Sequence, residues 1–169
     1  MRHRSIYVAA TGQHVGKTTS TLGLIHSLRN LGLNVGYCKP VGQQYVTHDG
    51  KRVDKDTALF ASFMGFEIEP EIHSPIILGQ GDTQDFLDNP ENFDFLGDLK
   101  HAQTVLESRH DFLIHEGTGH PGVGSVAEVS NSVIAEKLGA GVIMVVPAGI
   151  GNTIDKLDLN LAPFQQKNI

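Results

Sequence analysis

Residues 5–31 read SIYVAATGQHVGKTTSTLGLIHSLRNL, and this stretch decides the fold. Its first six residues form a short apolar run rich in β-forming side chains, which predicts a strand. A loop with two glycines follows at residues 11–19, and Leu24, Ile25, Leu28 and Leu31 then recur at helical spacing. The stretch therefore predicts a strand, a glycine-containing loop and a helix, in that order.

The loop has the composition of a phosphate-binding loop. Glycines let the backbone curl so that successive N–H groups point at one anion, and the following helix adds the positive end of its dipole. Lys17 can reach the β and γ phosphates, and the Thr18 hydroxyl can ligate Mg²⁺. Thr11 stands where the GxxxxGK[ST] pattern has its first glycine, but the flanking strand and helix disfavour a turn that contains lysine by chance. The predicted ATP-binding residues are Gly12, Gln13, His14, Val15, Gly16, Lys17, Thr18 and Thr19.

Length and charge limit the classes of function. With 169 residues we expect one nucleotide-binding domain spanning 1–169. The formal charge of −6, with scattered Lys and Arg, disfavours nucleic acid and anionic membranes as partners, which leaves a small molecule. The apolar stretch at the start is too short for a signal peptide or membrane span. Cys38 is the only cysteine and suits a reducing compartment, so we expect a cytoplasmic protein.

Strand and helix patterns alternate along the rest of the chain. This alternation predicts an α/β fold, a doubly wound, mostly parallel sheet with helices on both faces. Ser125, with Glu128 three residues on, is predicted to cap a helix, and the apolar run 142–146 predicts a strand covered on both faces. Residues 165–169 resemble the approach to a further strand, so we expect a C-terminally incomplete domain that lacks its last strand or strands. The remaining predictions are strands at 34–39 and 110–116, helices at 56–66, 96–109 and 153–164, a turn at 49–50, an irregular connection at 67–81 and an acidic, turn-prone segment at 83–98.

Three oxygen-bearing side chains are candidates for one magnesium site. Thr18 lies in the loop, Asp56 near a helix start and Glu116 at a strand end, and Mg²⁺ prefers such oxygen ligands. Lys39, also at a strand end, can neutralise charge on a transferring phosphoryl group. Taken singly, Asp56 and Glu116 are better explained as caps, and Lys39 is explained equally well as a solvated lysine. The nine histidines show no spacing typical of a zinc site.

Five segments carry a resemblance to a known family: YVAATGQHVGKTTS, GYCKPVG, DTAL, LIHEGTGH and VVPAGIGNTID. Over nearly its whole length the sequence resembles dethiobiotin synthetase and its relatives, P-loop proteins that include cobyrinic acid diamide synthase. The resemblance implies that Lys17 and Thr18 bind MgATP and that Asp56 and Glu116 complete the magnesium site. It also implies that Lys39 lies at the substrate and the γ-phosphate. Main-chain amides of a later loop hold a substrate carboxylate across a dimer interface in that family, which implies a homodimer and maps onto Gly151, Asn152 and Thr153.

The sequence leaves more than one function open. The first is ATP-dependent ligase-type chemistry, in which Lys17 and Lys39 serve as catalytic residues and a carboxylate or carbamate is phosphorylated so that an amine can attack it. The second is a regulatory or switch ATPase domain, which the glycine-rich segment 117–125 would suit. The third is a fragment that binds nucleotide without turnover. Gln43, Gln44 and His120 replace small residues of the family, which puts the diamine substrate in doubt.

Overall fold

The computed structural model describes residues 4–169, so residues 1–3 of the predicted domain lie outside the described part. The strands are β1 (Ser5–Ala10), β2 (Val35–Cys38), β3 (Val41–Gly42), β4 (Tyr45–His48), β5 (Lys51–Asp54), β6 (Ile76–Ile77), β7 (Phe112–Glu116) and β8 (Gly141–Val145). The helices are α1 (Lys17–Asn30), α2 (Lys55–Met64), α3 (Pro70–His73), α4 (Asp82–Asp88), α5 (Phe95–Arg109), α6 (Asn131–Leu138) and α7 (Gly151–Gln165).

A four-stranded parallel sheet forms the centre of the fold. Its strand order is β2-β7-β1-β8, and Ile6 of β1 lies opposite Ile114 on one side and Gly141 on the other. Because all four strands are parallel, their carboxyl ends share one edge, which is where open α/β sheets bind ligands. The predicted strands at the start of the chain and near residues 35, 112 and 142 are confirmed.

Helices cover both faces of this sheet, as the alternation of elements predicted. On one face Val8 packs in a cluster with Ile25 of α1 and Phe60 of α2. On the other face Tyr7 and Ala9 pack with residues of α5, α6 and α7. Adjacent residues of β1 therefore enter different cores, as expected for a strand whose side chains alternate between two covered faces. The doubly wound α/β fold is confirmed.

The segment between β3 and α2 contains a β-hairpin, of which the sequence predicted only the turn at residues 49–50. Strands β4 and β5 are antiparallel, and Tyr45 lies opposite Asp54 at the base. Asp49 and Gly50 both have positive φ, 48° and 76°, which is the geometry of the tight two-residue hairpin turn. The two strands are mostly exposed and polar, so they carry no apolar alternation that would reveal them. In the same way, α3 and β6 lie in the predicted irregular connection, and α4 lies in the acidic segment.

The predicted capping box at Ser125 is wrong. Residues 125–127 form a single 3₁₀ turn, Glu128 is left-handed with φ 59°, and Val126 is exposed. Helix α6 begins at Asn131, and its cap is Ser130, whose hydroxyl accepts a hydrogen bond from the Val133 N–H at 3.4 Å. The Val129 N–H donates to the Gly124 carbonyl at 3.0 Å, so the chain turns back on itself before the helix starts.

Strand β8 is covered on both faces only in part. Val142 and Met144 pack on one core and Val145 on the other, whereas Ile143 is 40% exposed. The strand lies at the edge of the sheet and pairs only with β1 within residues 4–169. An apolar sequence shows that a strand is hydrophobic but not where in the sheet it lies. None of the described helices is both long and apolar enough to span a bilayer.

Candidate active site

The loop between β1 and α1 curls at the carboxyl edge of the sheet. The Thr11 N–H donates to the Val145 carbonyl at 3.1 Å, which fixes the loop against β8. His14 and Gly16 have positive φ, 58° and 94°, and Gly16 is the residue directly before α1. This left-handed geometry turns the loop so that α1 starts at Lys17 with its first N–H groups facing the edge, where an anion binds well.

Lys17 lies in this pocket without a carboxylate partner. Within residues 4–169, no carboxylate oxygen lies within 4 Å of its ammonium. Burial lowers the pKa of Lys17, and the nearby Lys39 charge lowers it further. A partly desolvated ammonium beside a helix N-terminus favours an incoming anion, because a bound phosphate restores the interactions that burial removed.

Glu116 ends β7 and accepts two hydrogen bonds. The Thr18 hydroxyl donates to its Oε1 atom at 2.9 Å, and the Tyr37 hydroxyl donates to its Oε2 atom at 3.4 Å. The carboxyl group is fully buried, and burial raises its pKa although Lys39 opposes that shift. The structure thus brings together Thr18 and Glu116, two of the three predicted magnesium ligands, from α1 and β7.

Lys39 follows β2, and its ammonium lies between the carboxylates of Asp56 and Glu116. Its Nζ atom is 2.6 Å from Oδ2 of Asp56 and 3.6 Å from Oε1 of Glu116. Burial by itself would lower the pKa of Lys39, but Glu116, Asp54 and Asp56 together raise it. The ammonium is therefore held charged in a buried position. The sequence predicts Asp56 and Glu116 as parts of one magnesium site and Lys39 apart from them, and the structure places Lys39 between these two carboxylates.

Asp54 is a site residue that the sequence analysis missed. It lines the same pocket, is 4% exposed and caps α2 by accepting the Asp56 N–H at 2.9 Å. Burial raises its pKa, and Lys39 counteracts this. An aspartate just upstream of the predicted helix 56–66 is a capping signal that could have identified it, with the helix beginning one residue earlier, at Lys55.

Asn131 is the second residue that was missed, and it fixes the glycine-rich loop after Glu116. Its Oδ1 atom accepts from the Tyr7 hydroxyl at 2.7 Å and from the Thr118 N–H at 2.9 Å. Its Nδ2 group donates to the carbonyls of Thr118, at 2.8 Å, and His120, at 2.7 Å. All four hydrogen-bonding positions of the amide are used, so the loop has one defined conformation beside the pocket.

The predicted residues do not all lie in the pocket. Gly151, Asn152 and Thr153 form the first turn of α7, after β8, and are not among the residues that line it. The Thr153 hydroxyl donates to the Pro147 carbonyl at 3.0 Å. Of the predicted loop residues, those lining the pocket are Gln13, His14, Lys17 and Thr18, and Gln43, Gln44, Lys55, Thr118 and Gly119 line it as well.

The side chains present fit magnesium in combination with phosphate. Within residues 4–169 no three His, Cys, Asp or Glu side chains form a ready-made metal cluster. However, the Lys39 ammonium already occupies a position between two carboxylates, which shows that this point attracts a cation. Thr18, Asp56 and Glu116 supply only oxygen donors, and Mg²⁺ takes one or two carboxylates and completes its shell with phosphate oxygens and water.

The fold and the site define a P-loop nucleotide-binding protein. The loop that carries lysine and threonine lies between the first strand and the first helix of a parallel sheet, and it faces buried carboxylates. A family model described as "AAA domain" matches residues 4–169, and the chain belongs to this family. Within it, the resemblance to the dethiobiotin synthetase-like P-loop ATPases is confirmed.

Curated relatives match most of this chain. An ATP-dependent dethiobiotin synthetase BioD of Clostridium kluyveri is 29% identical over 159 residues, which cover 88% of this chain and 64% of that protein. A BioD of Methanocaldococcus jannaschii is 27% identical over 97% of this chain and 75% of its own length. A phosphate acetyltransferase of Acinetobacter baylyi is 27% identical over 95% of this chain but only 21% of its own length. The chain thus spans less than two thirds of the Clostridium kluyveri relative.

Solved structures share the fold at low identity. The chimerical protein CapA2B2 has a TM-score of 0.61 at 11% identity and matches over 99% of this chain and 73% of its own. The kinase domain of Escherichia coli tyrosine kinase ETK has a TM-score of 0.56 at 12% identity, over 99% of this chain and 64% of its own. At these identities the likeness concerns the fold alone.

Proposed function

We propose that this chain binds ATP together with Mg²⁺ and carries out ATP-dependent ligase-type chemistry through a phosphorylated carboxylate or carbamate. The observation that carries the proposal is the convergence of Lys17 and Lys39, from separate elements, at one polar pocket beside the phosphate loop. Glu116 is fully buried behind this pocket, where it lies 3.6 Å from Lys39 and accepts a hydrogen bond from Thr18. The BioD relatives are described as ATP-dependent synthetases, which supports the same reaction class for this chain.

The loop and α1 would hold the triphosphate. The amides of residues 12–16 and the first turn of α1 present N–H groups, and Lys17 adds a positive charge. Thr18, Asp56 and Glu116 are the residues that would hold Mg²⁺, which when bound neutralises charge on the phosphate oxygens. Lys39, the buried cation between Asp56 and Glu116, would neutralise negative charge on the transferring phosphoryl group.

The proposed reaction has two displacement steps. An oxygen of the substrate carboxylate or carbamate attacks the γ-phosphorus and ADP leaves, and an amine then attacks the acyl carbon and inorganic phosphate leaves. Carboxylates are poor electrophiles, so the first step creates a leaving group. Lys17 and Lys39 hold the reacting groups close together and stabilise the negative charge that develops during transfer.

The acceptor and the assembly belong to this proposal as well. The backbone amides of Gly151, Asn152 and Thr153 begin α7 and could bind a substrate carboxylate, in a homodimer with a second copy of the chain. The small-molecule acceptor carries a carboxylate, an amine or both. The single buried thiol of Cys38 suits a cytoplasmic location.

The test is phosphate release from MgATP with and without diaminopelargonate and bicarbonate. The Lys17→Ala variant serves as the blank, and Lys137→Ala, at an exposed position near the end of α6, is the matched control. Stimulation by the diamine in the wild type and in Lys137→Ala, absent from Lys17→Ala, supports the ligase reaction.

Two other outcomes count against parts of the proposal. Nucleotide binding without stimulation by any carboxylate or amine would favour a regulatory ATPase. Nucleotide binding that is equal in the wild type and Lys17→Ala would contradict the phosphate site itself.

A further inference from the structure

Asp54 joins two segments that carry reactive side chains. Its Oδ1 atom accepts the Asp56 N–H at 2.9 Å, and its Oδ2 atom packs against Gly42. Gly42 lies three residues after Lys39, whereas Asp56 lies in the first turn of α2. One buried carboxylate therefore fixes the distance between the strand end that carries Lys39 and the helix start that carries Asp56.

Gly42 makes this contact possible. A Cβ atom at Gly42 would lie 2.6 Å from Oδ2 and 2.7 Å from Cβ of Asp54, and 2.8 Å from Cδ1 of Ile77. Real Cβ atoms do not approach other heavy atoms so closely, so any larger residue would displace the Asp54 side chain. The tight packing against Gly42 leaves the carboxylate a single position.

The hairpin of β4 and β5 holds Asp54 from the other side. The Lys55 N–H donates to the Gln44 carbonyl at 2.8 Å, which closes the hairpin base. Further out, Arg52 pairs with Asp82 at 2.6 Å and its guanidinium lies 5.2 Å from the centre of the Tyr45 ring. Because Asp82 belongs to α4, the hairpin is fastened to the body of the protein.

We propose that Asp54 is a positioning residue, which holds the Lys39 ammonium between Asp56 and Glu116 by fixing the start of α2 and by adding a third negative charge. That Lys39 then acts on the phosphoryl group rests on the proposed function. The positioning of Lys39 by Asp54 does not rest on the proposed function, because it is a property of the chain without nucleotide.

The first experiment measures the placement of Lys39 directly. The acylation rate of its amine by an N-hydroxysuccinimide ester is followed by peptide mass spectrometry on the folded chain. Asp54→Asn keeps an oxygen for the helix cap but removes the charge, and Gly42→Ala keeps the charge but displaces the carboxylate. We expect the Lys39 acylation rate to rise by about tenfold in both, because an ammonium that is no longer held in place between Asp56 and Glu116 becomes accessible to the reagent.

Asp94→Asn is the matched control. Asp94 caps α5 by accepting the Gly97 N–H at 3.0 Å, but it is exposed and does not line the pocket. The same chemical change there should leave Lys39 acylation unaltered. A Lys39 rate that stays at the wild-type value in both Asp54→Asn and Gly42→Ala, with the unfolding midpoint also unchanged, overturns the proposal.

The second experiment uses turnover. If Asp54 acts through Lys39, Asp54→Asn lowers kcat for phosphate release by about tenfold or more, while the affinity for MgATP changes little. In a Lys39→Ala background the same change should cost almost nothing further, since the group that it positions is gone. Equal losses in both backgrounds would assign Asp54 a general structural role instead. If Lys17→Ala shows the proposed function to be wrong, the acylation measurement still decides the role of Asp54.

Discussion

Lys39 and Asp56 form a close ion pair, with Nζ and Oδ2 2.6 Å apart, across 17 residues of sequence. The lysine side chain is almost completely buried, whereas Asp56 is one third exposed, at 34%. The ammonium of Lys39 thus lies between the fully buried Glu116 and the partly exposed Asp56, which closes the cluster toward solvent. This asymmetry determines what each residue contributes.

Replacing Lys39 by Met should destabilise the chain strongly. The change leaves Glu116 buried without its cation, which typically costs about 3–5 kcal/mol of unfolding free energy. Urea denaturation measures this loss. Mg²⁺ should restore more stability to Lys39→Met than to the wild type, because the ion replaces the missing positive charge. Lys51→Met removes an exposed pair with Glu71 and should cost only about 0–1 kcal/mol, and a similarly small cost for Lys39→Met would contradict this account.

Variants of Thr18 test the magnesium site. Thr18→Ser keeps the hydroxyl that donates to Glu116, whereas Thr18→Val removes it at nearly constant volume. We expect Thr18→Val to raise the Mg²⁺ concentration for half-maximal phosphate release by about tenfold or more, and Thr18→Ser to stay near the wild type. Thr104→Val, on the exposed side of α5, is the control. An unchanged Mg²⁺ dependence in Thr18→Val would remove this residue from the metal site.

Asn131 offers a test of the loop that follows Glu116. Asn131→Leu leaves the Tyr7 hydroxyl and the N–H and carbonyl groups of Thr118 without this partner. Each buried group left unsatisfied costs about 1–3 kcal/mol, so we expect a total loss of at least about 3 kcal/mol. Tyr7→Phe removes one hydrogen bond and should cost about 1 kcal/mol. Denaturant unfolding gives both values. Asn160→Leu, at a half-buried position of α7 with one local hydrogen bond, should change little, and an equal effect there would show that the loop contacts are unimportant.

His115 should make stability depend on pH. Its ring is fully buried, neither nitrogen has a hydrogen-bond partner among the described residues, and burial lowers its pKa from 6.5 to about 4. The unfolded chain therefore binds the proton more readily, so the stability contribution is complete above about pH 6.5 and falls as the pH drops toward 4. Between pH 7 and about pH 4.5 this amounts to about 2–3 kcal/mol.

The His115→Leu variant isolates that contribution. Leucine fills the buried site without a group to protonate, so unfolding free energies of the variant should fall less between pH 7 and 4.5 than those of the wild type. His101→Leu, on the exposed side of α5, should follow the wild-type curve. Parallel curves for wild type and His115→Leu would show that this histidine is not the acid-sensitive group.

The fold could be predicted where the chain obeys a strong local pattern. The β1 and α1 segments combine an apolar run, a glycine loop and helical periodicity, and each signal agrees with the others. The β4–β5 hairpin has no such pattern, because its strands are exposed and polar. The Ser125 capping box failed although its residues fit the motif, because the backbone at Gly124 and Glu128 adopts positive φ and turns back before α6.

The site could be predicted in part for the same reason. Lys17 and Thr18 follow from one contiguous motif, whereas the joining of Lys39 to Asp56 and Glu116 depends on parallel strands ending at one edge. The role of Asn131 could not be found from its neighbours in sequence, since its partner Tyr7 lies 124 residues away. Contacts of this kind depend on tertiary packing, which no local pattern contains.

The edge position of β8 affects how this architecture can evolve. Strand β1, which leads into the phosphate loop, has both of its neighbours in place, so its backbone hydrogen bonds do not depend on anything beyond β8. The outer side of β8 offers unpaired backbone groups within the described chain, onto which further strands or another module can be added. Such additions would lie on the opposite side of β1 from β7 and β2, the strands whose ends carry Glu116 and Lys39, so the surrounding protein can grow without touching that cluster.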